Sequence, residues 1–176
     1  MMKLGKIKIT ILADNFSKNK EYKAEHGIAY WIQAKGFSIL FDTGQGLAFP
    51  ANARRLKIPL RQCQAIAVSH GHYDHTGGLA FALKMCPEAF VYLHPDVMKA
   101  RYGFKPGHPV RSIGIPLLMK RALNRAKKKI RWIRKPVEIT AGIWTTGPIP
   151  RISSFEDTGG NFFNDRACKK KRFNCR

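Results

Sequence analysis

Residues 6–13 (KIKITILA) alternate polar and apolar positions. This is the period-2 signature of a half-buried β-strand, with Ile7, Ile9 and Ile11 on one side. Residues 27–34 (GIAYWIQA) and 37–41 (FSILF) are rich in β-branched and aromatic residues and are separated by Lys35 and Gly36, so they predict a hairpin. Asp42, Thr43 and Gly44 end it in a turn. Pro50 suits the first turn of a short helix over 50–56. Residues 65–69 (AIAVS) are nearly all apolar and predict a strand buried on both faces. Apolar residues recur at helical spacing over 76–85, and Pro87 stops that helix. Residues 90–93 (FVYL) predict another buried strand, and 95–101 a short helix. Gly and Pro punctuate 102–116 and predict a loop. A basic helix over 117–126, an edge strand over 129–133 (KIRWI) and two short β pieces around Gly142 follow; after Pro150 only loop signals remain. Strands alternating with helices through about residue 100 predict an α/β layer arrangement.

Composition bounds this picture. At 176 residues the chain suits one domain, or one domain with a tail. Hydrophobic residues make up 44%, enough for a packed core. No apolar run reaches the roughly 18–20 residues of a membrane span, so no membrane partner is expected. Lys6 and Lys8 interrupt the first apolar run, which therefore lacks a signal-peptide core. Cys63, Cys86, Cys168 and Cys175 form no CxxC, and reduced thiols in a cytoplasm are the expectation. Cys63 and Cys86 read as small buried side chains. Trp31, Trp132 and Trp144 fall in predicted strands, so packing is expected of them rather than base stacking.

Charge changes the picture more. Thirty-two Lys and Arg against 11 Asp and Glu give +21. Between Asp96 and Glu138 there are thirteen cations and no acid, and residues after Asp165 are basic again. Such a chain attracts polyanions or phosphorylated substrates, unless the runs are only solvated faces.

The chemistry concentrates in residues 69–78, Ser-His-Gly-His-Tyr-Asp-His-Thr-Gly-Gly, which hold three of the six histidines. Imidazole and carboxylate are donors that zinc, iron and manganese accept. The cluster begins after a buried strand and ends where a helix starts, where α/β sheets place their sites. On such a loop His70 and His72 can face one ion, while Asp74 and His75 turn toward a second. Gly71 permits a sharp path between the first two His, and Gly77 and Gly78 let the next helix pack close.

SHGHYDHTGGL resembles the first metal motif of the metallo-β-lactamase superfamily. ILFDTGQG at 39–46, AIAVSHGHYDHTGGL at 65–79, VYLHPDV at 91–97, IGIPL at 113–117 and TTGPIPR at 145–151 are together similar to its dihydropterin–aminobenzene-ribofuranosyl-phosphate synthase-like branch. The likeness runs from about 6 to 165. It implies an αββα sandwich, of which this chain resembles mainly the N-terminal half, with residues 1–165 as an incomplete domain and 166–176 as a basic tail unlike the family. It implies two divalent ions, zinc foremost and iron or manganese as alternatives, held by His70, His72, Asp74 and His75. Asp74 is the implied catalytic carboxylate. Asp42, in the strand-end FDTG, is expected to accept a hydrogen bond from a metal-bound His. His26, His94 and His108 are candidates for touching substrate.

The implied activity is that of a hydrolase or transferase on a small phosphorylated or anionic substrate of pterin type. A nuclease of the superfamily is an alternative, with nucleic acid a less favoured partner. The superfamily's further ligands, a downstream His, a bridging carboxylate and a last His, find no match after His108. A truncated, catalytically silent fragment with weak metal binding is therefore the other alternative, its last residues coming from an out-of-frame or degenerated end. A half-sandwich is expected to expose one sheet face, and the chain to form a homo-oligomer through it.

Overall fold

In the computed structural model, which describes residues 6–150, 152, 153, 155 and 160–169, the predicted hairpin forms part of a six-stranded main sheet. β1 (Ile7–Ala13) pairs antiparallel with β2 (Ala29–Ala34), and β2 with β3 (Phe37–Phe41). Lys35 and Gly36 both take positive φ, the backbone that a tight two-residue hairpin turn requires. α1 (Ala48–Arg55) leads to β4 (Ala65–Ala67), and α2 (Tyr73–Thr76) and α3 (Leu79–Met85) lead to β5 (Phe90–Leu93). The two-residue strands β6 (Tyr102–Gly103) and β7 (Arg111–Ser112) precede α4 (Leu117–Arg125) and β8 (Ile130–Trp132). β9 (Val137–Thr140) and β10 (Ile143–Thr145) form a hairpin, and β11 (Phe162–Phe163) pairs with β6. The main sheet runs β1-β2-β3-β4-β5-β8, with the last four strands parallel.

Register assigns the two faces. Trp31, Leu40, Ile66 and Val91 are neighbours across β2 to β5, and all four are fully buried. Phe49 of α1, Leu79 of α3 and Leu123 of α4 pack in the same core. Each such side chain stabilises the fold by roughly 1.5–3 kcal/mol through burial. Cys63 and Cys86 are buried there too, as expected. The opposite face carries Ile9, Ile32, Ile39 and Ala65 in one row, and Ile11, Tyr30, Phe41 and Ala67 in the next. Ile139 and Ile143 of the β9–β10 hairpin cover its middle. At its β1 end Ile7, Ile9 and Ile11 stay 55, 59 and 56% exposed. The alternation of 6–13 is thus present, but its apolar side faces outward.

Other differences are local. α1 begins at Ala48, which keeps Pro50 within its first turn. The helix expected over 76–85 begins only at Leu79, as α3, and the single turn α2 precedes it across Gly77 and Gly78. The loop 102–116 contains β6 and β7. Trp31 is buried as expected, whereas Trp132 and Trp144 are 46 and 60% exposed on their strands. Residues 170–176 of the basic tail lie outside the described residues. Among the described residues no helix is long and apolar enough to cross a membrane.

Candidate metal centre

β3 and β4 end side by side, tied by the Asp42 N–H donating to the Ala67 carbonyl at 2.9 Å. The functional loops leave from these carboxyl ends, where a parallel sheet opens a crevice. Asp42 is fully buried and sits at φ +56°, a left-handed backbone that Asp tolerates better than most residues. Its Oδ1 accepts from the Ser69 N–H at 2.8 Å. Its Oδ2 accepts from the Ser69 hydroxyl at 2.6 Å and lies 2.7 Å from His75 Nδ1. Asp42 therefore holds both ends of the 69–75 segment, and its contact with His75 favours the proton on Nδ1 and the lone pair on Nε2.

His75 is fixed from both sides. Its carbonyl accepts from the Thr43 N–H and hydroxyl, each at 2.9 Å. Burial disfavours its charged form, but the hydrogen bond and charge of Asp42, helped by Asp74, outweigh that and raise its pKa above the ordinary histidine value. Asp74, nearly buried, places Oδ2 3.6 Å from His75 Nε2 and 3.3 Å from His26 Nε2. His72 precedes α2 in an extended conformation, and its carbonyl accepts from the Thr76 N–H and hydroxyl. The His70 ring centroid lies 4.1 Å from that of His75 and 4.5 Å from that of His72. His70 Nδ1 is 2.9 Å from the Ser69 hydroxyl.

The glycines act through close approach. A Cβ on Gly71 would stand 2.6 Å from the Val97 carbonyl oxygen, so Gly71 lets the His loop pass the 95–98 turn rather than supplying a special φ. A Cβ on Gly77 would meet the Gln45 carbonyl at 2.3 Å, and one on Gly78 the Thr43 carbonyl at 2.4 Å. The expected close packing is therefore against the turn that carries Asp42.

The remaining candidates scatter. His26 reaches Asp74 from the loop before β2. His94 accepts from the Asp96 N–H at 3.1 Å, and with Ser69 it lines an apolar cavity of about 500 Å³ between the sheet and the β9–β10 hairpin. Ile39, Phe41, Tyr92 and Ile143 supply part of its wall. His108 is exposed and lines a separate cavity with Phe162. Phe162 also packs 5.3 Å from the His72 ring. Sequence reasoning did not single out Ser69, Thr43 or Phe162. Ser69 opens the His motif and Thr43 follows Asp42, so proximity is the available signal for both; Phe162 lies in the stretch 159–165 (GGNFFND), where the family likeness ends.

Three imidazoles in ring contact cannot all be protonated without strong repulsion, and as neutral groups they present lone pairs beside two carboxylates. That donor chemistry fits a divalent cation of the zinc, iron or manganese type. Among the described residues no three His, Cys, Asp or Glu close on one point as a finished cage, so the fit is one of donor type and proximity.

The chain has relatives among known proteins. The chain is 29% identical over 165 residues to the 7,8-dihydropterin-6-methyl-4-(beta-D-ribofuranosyl)-aminobenzene-5'-phosphate synthase of Methanocaldococcus jannaschii, covering 85% of this chain and 54% of that protein. It is 32% identical over 149 residues to an uncharacterized protein of the same organism, covering 84% and 56%. A crystal structure of a metal-dependent hydrolase of the beta-lactamase superfamily superposes with a TM-score of 0.72 at 26% identity, over 96% of this chain and 58% of that one. The chain thus spans a little over half the length of the relatives it matches. The family model of the metallo-beta-lactamase superfamily matches residues 24–151, which include every residue of the 69–78 cluster and the Asp42 turn, and the chain belongs to that superfamily.

Proposed function

We propose that this chain is a metal-dependent hydrolase or transferase acting on a phosphorylated or anionic substrate through a two-ion site. The observation that carries the reading is the contact cluster of His70, His72, Asp74 and His75 backed by the buried Asp42 carboxylate. His70 and His72 would hold one ion, and Asp74 and His75 the other. Divalent ions there would supply Lewis acidity toward water and toward a phosphoryl or pyrophosphoryl oxygen.

The chain's own groups have separate tasks. Asp42 fixes the tautomer and aim of His75 and anchors the loop through Ser69. Asp74, whose Oδ2 lies 3.3 Å from His26 Nε2 and 3.6 Å from His75 Nε2, would, besides holding its ion, accept a proton from an attacking water and pass it on. The apolar cavity beside Ser69 and His94 offers walls for a flat ring body, while cations attract the charged end. The similarity to a pterin-related synthase supports a pterin-type body.

Elemental analysis of purified protein, paired with turnover assays on phosphomonoesters, phosphodiesters and pterin pyrophosphates, tests the reading. About two ions per chain with turnover abolished in His70→Ala and Asp74→Ala supports it. Fewer than one ion and no turnover would favour the catalytically silent alternative.

A further inference from the structure

We propose that the edge of the main sheet at β8, with the turn leading into it from α4, is a docking surface for single-stranded nucleic acid. This inference is independent of the metal centre. α4 buries Met119 and Leu123 against the core, and the next turn, 127–129, is three consecutive lysines. Arg125, Lys127, Lys128, Arg131, Arg134 and Lys135 are all exposed within eleven residues that contain no acid. Among the described residues none of these six cations is held in an ion pair, unlike Arg55 with Glu21 and Lys99 with Asp96. Like charges this dense repel one another, and Arg131 alone of the six is tied down, through backbone carbonyls of Lys128 and Ile130.

Two exposed aromatic rings lie along this basic edge, one on each face of the sheet, because successive residues of β8 alternate sides. The Arg131 guanidinium lies 4.0 Å over the centroid of Phe90, itself 40% exposed. Trp132, the next residue, is 46% exposed on the outermost strand. An exposed indole on an extended basic edge offers what an unpaired strand needs: cations that track phosphates and a flat face on which a base stacks. Duplex nucleic acid hides its base faces, so the aromatic component favours the single strand.

The test is fluorescence anisotropy of the full chain with a labelled oligothymidylate, repeated with inorganic polyphosphate as competitor and with duplex DNA. If about four phosphates are neutralised, the logarithm of affinity should fall with the logarithm of salt at a slope of about −3. Trp132→Ala should weaken oligonucleotide binding about 5- to 100-fold and leave polyphosphate binding unchanged. Trp132→Phe should restore most of the loss, which also separates stacking from misfolding. Paired Lys127→Glu and Lys128→Glu substitutions should weaken both ligands. No binding near physiological salt, tighter binding of duplex, or equal oligonucleotide affinity in wild type and Trp132→Ala would overturn the proposal.

Discussion

Asp42 connects sequence to chemistry more directly than any other single residue. Its carboxylate is dry, its backbone left-handed, and its acceptors are shared among the Ser69 N–H, the Ser69 hydroxyl and His75 Nδ1. Asp42→Asn keeps the shape and tolerates the same φ, but its amide group must face a donor it cannot accept from. We expect a loss of roughly 1–3 kcal/mol in urea unfolding of the metal-free protein. Zinc affinity, measured by chelator competition, should weaken about 10–100-fold because His75 loses its orienting partner. Unchanged affinity would mean that His75 takes no part in binding metal. His75 itself makes stability depend on pH. Its folded pKa is raised above the reference 6.5, so the native state holds the proton more tightly than the unfolded chain. The resulting stabilisation is fully present below pH 6.5 and is lost as pH rises through the folded value. Metal-free wild type should therefore exceed His75→Gln in stability by more at pH 5.5 than at pH 8.5, as read from urea midpoints. A pH-independent difference would assign the gain to packing alone.

Elements show why some of the site could be read in advance and some could not. The hairpin and the parallel strands β4 and β5 follow from runs of β-branched and aromatic residues, and the structure has them at nearly the expected bounds. α2 could not be found this way. Tyr73, Asp74, His75 and Thr76 have no apolar period, and tertiary bonds from Thr43 to the His75 carbonyl help hold the single turn in place. β6, β7 and β11 are two residues each, too short for any alternation to register. The His-Asp cluster was legible because its residues are adjacent in the chain. The approach of His26 to Asp74 joins residues 48 apart by way of Gly27, which packs on the Asp74 backbone, and local pattern does not encode such a meeting. Gly77 tests how tightly α2 must dock. In Gly77→Ala the new Cβ would lie 2.3 Å from the backbone oxygen of Gln45, which cannot rotate away. A destabilisation of about 1–3 kcal/mol is expected, as for other overpacked sites. Metal affinity should fall with it, because the same contact sets the distance between α2 and the Asp42 turn. A fully stable Gly77→Ala protein would show that this contact relaxes freely.

At the scale of the whole molecule two opposing surfaces set the solution behaviour. The β1 end of the sheet presents Ile7, Ile9 and Ile11 in one exposed row on an edge strand, the arrangement natural sheets usually blunt with charge. A second copy pairing there would bury that row. Against it stands a charge of +21 on every chain, which repels a like copy over distances near the Debye length of about 10 Å at 0.1 M salt. The apolar attraction does not weaken with salt, whereas the repulsion does. Self-association, followed by sedimentation velocity, should therefore increase with protein concentration and again as salt rises from about 0.05 to 0.5 M. Ile9→Lys places a charge at the centre of the row, where its cross-strand neighbour is Ile32, and should keep the protein monomeric across that range. Binding of an oligonucleotide at the β8 edge should respond to salt with the opposite sign, so the two surfaces can be separated in one titration series. A wild-type chain that stays monomeric at all these salts would mean that the isoleucine row does not mediate association.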